Sequence, residues 1–149
     1  MNTRILLVAL LVCFAAALTP TFASADAGTT VTSDLTQLGN EVTAAHDAIV
    51  ADASSVTTAA QGGDKATTKA AVAKLRSDLS TLLTPVLADR KQLFTDLQAA
   101  RAANVSGLGA EVGPALKADR AAIREIRQAI RQARKAVRAL RQASQTTQT

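Results

Sequence analysis

Tryptophan and tyrosine are absent from this 149-residue chain, and histidine, cysteine and methionine occur once each. Those shortages exclude zinc sites of the cysteine–histidine type, disulfide scaffolds and heme ligation by paired soft ligands. With three phenylalanines as its whole aromatic stock, the chain also lacks the platforms on which nucleic-acid readers stack bases. Proline is scarce, at Pro20, Pro85 and Pro114, and no run of alternating β-branched residues marks a strand. What remains is alanine. The chain is 48% hydrophobic, but 33 residues are alanine, a composition suited to helices that pack closely. Its length fits one small domain.

The first 25 residues carry the pattern of a secretory signal peptide. Arg4 supplies a positive start, Ile5 to Leu18 form an apolar run, Pro20 breaks it, and Ala23-Ser24-Ala25 has small residues where a signal peptidase cuts. The run is shorter than the roughly 20 residues that span a bilayer; retention as an N-terminal anchor is the alternative. Cys13 follows Leu10-Leu11, but Val12 is too bulky for a lipidation site and the apolar run continues beyond it. The pattern predicts export to a secreted, periplasmic or wall-associated location after cleavage near Ala25. The remaining chain has no cysteine, 16 basic and 12 acidic residues.

Beyond the export segment the periodicity predicts an all-α fold: an elongated, coiled-coil-like antiparallel three-helix bundle over residues 26–143. The first helix is expected from Val31 to about Ala60. Leu35, Val42, Ile49 and Val56 form one seam row, while Val31, Leu38, Ala45 and Ala59 form the other, which Asp52 interrupts. Gly62-Gly63 ends it and Asp64 caps the next helix. That second helix should run from Lys65 to about Asn104, with Val72, Leu75, Leu79, Leu82 and Val86 followed by Leu93, Leu97 and Ala100 in a shifted phase. Pro85 lies in the middle of this segment with no loop residues separating its halves, which predicts a kinked middle helix. A reversal at Pro85, giving a four-helix bundle, is the alternative. A glycine-bearing loop is expected over 106–113, after which Pro114 would open the last helix. The polar tail 144–149 is expected to be disordered.

The last helix has the cleanest register. Leu116, Ile123, Ile130 and Val137 form one row, and Asp119, Ile126, Ala133 and Leu140 the other. Its cations are as regular as its apolar residues. Arg120, Arg127, Arg134 and Arg141 share heptad position e, and Lys117, Arg124, Arg131 and Arg138 share position b. Like charges at such spacing repel by about 0.2–0.5 kcal/mol per pair. In an up-down-up bundle the first and last helices are parallel, so Asp34 and Glu41 at position g of the first would face the e row. No such partner is available to the b row. Lys117, Arg124, Arg131 and Arg138, extended by Lys135, are therefore the candidate anion-docking residues.

No catalytic, cofactor-binding or metal-binding set emerges. His46 adjoins Asp47, but neighbouring helical residues diverge by about 100°, so no dyad is expected. Glu41, His46 and Asp52 do not share a helix face, and no phosphate-binding or nucleophile-elbow motif occurs. Asn104-Val105-Ser106 is a glycosylation sequon that acts only in a eukaryotic secretory route. Leu35-Thr36-Gln37 and Leu83-Thr84-Pro85 each begin an LTxxQ signature without completing it; in size and export signal alone the chain is similar to small helical stress chaperones of the bacterial periplasm. The expectation is a non-enzymatic exported protein whose basic helix meets a polyanion, such as an anionic membrane surface, a wall polymer, a nucleic acid or an acidic protein. A structural or chaperone-like scaffold acting through apolar seams, including as a homo-oligomer, is the alternative, and no small-molecule substrate is indicated.

Overall fold

The computed structural model of the chain describes the backbone of residues 19–146 and the side chains of residues 26–146. Arg4, the apolar run, Cys13 and the last three residues lie outside that range. The described chain is all-helical: α1 covers Thr19–Gln61, α2 Lys65–Ala102 and α3 Leu108–Thr146.

Two tight turns connect the helices, each built on residues that tolerate positive φ. Gly63 (φ 78°) closes α1, and Asp64 opens α2 by accepting the Ala66 and Thr67 amides on Oδ1 at 2.9 and 3.0 Å. At the other end of α2, Asn104 (φ 56°) occupies the left-handed position. The Val105 amide donates to the Ala100 carbonyl and the Asn104 amide to that of Arg101, both at 3.0 Å, the two bonds of a Schellman cap. Gly107 (φ 88°) then turns the chain into α3.

Several boundaries differ from the sequence expectation. Helix α1 begins at Thr19, well before Val31, with Pro20 in its first turn, where a missing N–H does no harm. The expected loop over 106–113 shrinks to a turn. Helix α3 starts at Leu108, and Pro114 lies inside it, because the Schellman cap and Gly107 already complete the reversal. The tail is helical as far as Thr146, where the hydroxyls of Ser144 and Thr146 donate to carbonyls of the preceding turn. Pro85 sits inside a single helix, so the chain does not reverse there and the four-helix alternative falls.

Helix α1 is the hub. Its residues Val31, Leu35, Leu38, Val42, Ala45, Ile49, Ala53, Val56 and Ala60 are all buried, a 3–4 spacing that keeps one continuous stripe inward. The second row passes through Ala53 and Ala60 where Ala59 was expected, a one-residue slip that follows the buried Asp52. Helix α2 buries Leu75, Val86, Leu93 and Ala100; the step from Leu75 to Val86 spans Pro85 and keeps the three-four spacing through Leu79 and Leu82, which are partly buried. Helix α3 buries only Ile126 and Ala133 fully. Both α2 and α3 lie along α1, whereas they approach each other closely at no more than isolated points.

Candidate anion-docking face

Contacts with α1 fix which flank of each outer helix turns inward. On α3, Glu125 Oε2 lies 2.8 Å from His46 Nε2 and Glu111 Oε2 accepts from the Thr32 hydroxyl at 3.3 Å. Both pairs are offset by 79 residues, so α1 and α3 run parallel. On α2, Asp89 Oδ2 accepts from Gln37 Nε2 at 2.7 Å, and Lys74 Nζ donates to Asp52 Oδ1 at 2.6 Å and to Asp78 Oδ2 at 2.8 Å, an antiparallel pairing.

The carboxylates follow those contacts. Asp34 and Glu41 do not meet the e-row arginines as expected. They point at α2, where Asp34 meets Asp96 and Glu41 meets Asp89. Burial, reinforced by the facing acids, raises both carboxyls above the ordinary carboxylate range. One oxygen each of Asp34, Glu41 and Asp52 is sealed from solvent without a hydrogen-bond partner. Asp52, at 6% exposure, tolerates its seam position because Lys74 reaches it.

His46 corrects another expectation. Its Nδ1 lies 2.9 Å from Asp47 Oδ1, so the adjacent pair does make contact, the flexible aspartate side chain offsetting the backbone divergence. Those contacts, Asp47 first and then Glu125, raise the imidazole pKa. The site is a helix-to-helix clasp between α1 and α3. Among the described residues no group of three or more His, Cys, Asp or Glu side chains is arranged to hold a metal ion.

The cations take the opposite side. Lys117, Arg120, Arg124, Arg127, Arg131, Arg134, Lys135, Arg138 and Arg141 are all exposed, and none forms an ion pair among the described residues. On the helical wheel the e and b rows lie about 160° and 100° from the row of Glu125, turned away from α1. The predicted docking residues Lys117, Arg124, Arg131, Lys135 and Arg138 thus share one solvent face.

Sequence reasoning missed the α2 part of that face. On α2, counting about 100° per residue from Leu93, Lys65, Lys69, Arg76, Arg90, Lys91 and Arg101 fall within about 60–160°, while Asp78, Asp89 and Asp96 fall near 300–320° toward α1. Arg90 points to α3, where its charge opposes the burial that raises the Asp119 carboxyl. Of the 16 Lys and Arg residues after Ala25, Lys74 alone pairs with carboxylates among the described residues. The same wheel arithmetic applied to α2 in the sequence carries this signal, but without a partner assignment its two flanks are equivalent.

Within that face α2 exposes two large apolar side chains, Leu87 at 66% and Phe94 at 43%. They line an open depression with Arg90, Lys91, Thr95 and Gln98, and the Arg90 guanidinium lies 5.7 Å from the Phe94 ring centroid. None of the described helices is long and apolar enough to cross a membrane.

Comparison with known proteins finds no family model, no curated protein and no solved structure that matches this chain.

Proposed function

We propose that this is an exported, non-enzymatic helical protein whose last helix docks on an anionic partner outside the cytoplasm. The observation that carries the reading is the separation of charge across the bundle: α3 presents nine unpaired cations to solvent, while Asp34 and Glu41 of α1 face α2 instead. Fixed like charges held on one face by a folded scaffold create a field that an external polyanion relieves. Support for export comes from Arg4, the apolar run Ile5 to Leu18 and the cleavage pattern ending at Ala25. The working form is an elongated, coiled-coil-like bundle with a bend at Pro85, where the ring removes one N–H from the α2 ladder.

The test is binding to soluble polyphosphate and to anionic vesicles under a salt titration. Affinity should fall as salt rises, and replacing Lys117, Arg124, Arg131 and Arg138 together by Gln should lower it at least about tenfold, since each cation near an anionic surface contributes about 1 kcal/mol. Binding that ignores both salt and the four substitutions would sink the proposal. The exposed Leu87 and Phe94 favour a second reading, a scaffold that presents apolar surface to a client or a second copy; a monomer in sedimentation with no effect on client aggregation removes it.

A further inference from the structure

The docking reading leaves the anion open, and the face itself narrows it. We infer that the α2–α3 face binds the surface of an anionic lipid bilayer, with Leu87 and Phe94 entering the acyl boundary between the cations. This inference rests on the docking reading and deepens it.

Three observations favour a bilayer over a soluble polyanion. First, the positive charge is spread across two neighbouring helices. Lys65, Lys69, Arg76, Arg90, Lys91 and Arg101 from α2 join the nine cations of α3, making a broad, open face. A rod-like polyanion matches a single row, whereas a sheet of headgroups matches a plane. Second, Leu87 and Phe94 stand exposed inside that face, at 66% and 43%. Such side chains gain nothing from a polyphosphate or polysaccharide chain. At the headgroup boundary, apolar burial and headgroup attraction add. Third, Arg90 and Lys91 share the depression with those two residues. Their aliphatic stems can lie along the apolar surface while their charges reach phosphate, as cations at membrane boundaries do.

The missing tryptophan becomes an instrument. Because the chain has no Trp or Tyr, Phe94→Trp places a single indole on the face, and its emission reports that position whatever the apolar N-terminal run does. The full chain carrying this change is titrated with phosphatidylglycerol–phosphatidylcholine vesicles, with pure phosphatidylcholine vesicles and with polyphosphate. The inference expects a blue shift, and quenching by brominated acyl chains, with the anionic vesicles alone. Replacing Leu87 by Ser in the same chain should weaken partitioning on the order of tenfold, and helicity by circular dichroism should stay unchanged because the position is exposed.

The outcomes separate the two levels. Anionic-vesicle binding without an indole shift overturns insertion and leaves anion docking standing. Binding to polyphosphate but not to vesicles overturns the lipid surface and again leaves docking standing. No binding to any of the three probes overturns both.

Discussion

Glu41 shows how local geometry overrides a heptad assignment. Its position g fits an interhelical pair with arginine, yet the side chain turns to α2 and meets Asp89, with Gln37 donating to both groups at 3.5 and 2.7 Å. Asp34 and Asp96 are a second pair of facing acids two turns away, without the bridging amide. Because burial and the facing acids raise both carboxyls in the folded chain, the native state holds protons that the unfolded state releases. The stabilisation is complete below the ordinary value of about 4 and is lost as pH rises through the raised folded values. Glu41→Gln, which keeps the shape and removes the charge, should therefore stabilise the protein at pH 7 by on the order of 1 kcal/mol. It should also flatten the decline in stability above about pH 4. Urea denaturation of both proteins from pH 4 to 8 measures both effects; an equal or steeper decline in the variant contradicts the assignment. The seam positions of these helices were legible because burial repeats every three or four residues. Which partner an acid meets was not, since rotation of a helix by a fraction of a turn exchanges one neighbour for another at no cost to the apolar stripe.

At the scale of the element, α2 is the helix whose sequence says two things at once. Leu75 and Val86 are both buried on one continuous apolar stripe, yet Pro85, a residue that disrupts the helical ladder, lies between them. Proline removes the hydrogen bond to the Thr81 carbonyl and crowds it. Pro85 is exposed, so Pro85→Ala restores the bond without altering the core. The substitution should raise stability by about 1–3 kcal/mol, read as a higher midpoint in chemical denaturation. An unchanged or lower midpoint would mean that the core depends on proline at this position. The helix ends illustrate a different limit of sequence reading. Asp64 was readable as a cap because the side chain and its receiving amides are adjacent in the chain. The start of α3 was not, because Pro114 imitates a helix start while the reversal is made earlier by Asn104 and Gly107.

Across the whole molecule, charge is sorted more thoroughly than the chain order suggests. The net charge of +5 conceals a bundle with acids around α1 and an almost unpaired basic face on α2 and α3. Self-repulsion within that face destabilises the folded state, and it is screened over a Debye length of about 10 Å at 0.1 M salt. Thermal midpoints should rise between 10 and 150 mM sodium chloride, and the rise should shrink in the chain with Lys117, Arg124, Arg131 and Arg138 replaced by Gln. A midpoint independent of salt would show that the cations do not act as a collective. The b row of α3 was legible from sequence because it is periodic; the contribution of α2 was hidden because its cations are irregularly spaced and gain meaning only once one flank is given to α1.

The central place of α1 also dictates an order of events during synthesis. Its pairing with α2 closes across the Gly62-Gly63 turn, while the contacts to α3, Thr32 with Glu111 and His46 with Glu125, span 79 residues. A chain growing at about 5–20 residues per second completes the α1–α2 hairpin roughly 2–9 s before the last turn of α3 is made. During that interval the part of the inner stripe that α3 covers is only partly supplied with its partner. The cover that α3 gives to α1 is therefore the last part of the bundle that synthesis supplies.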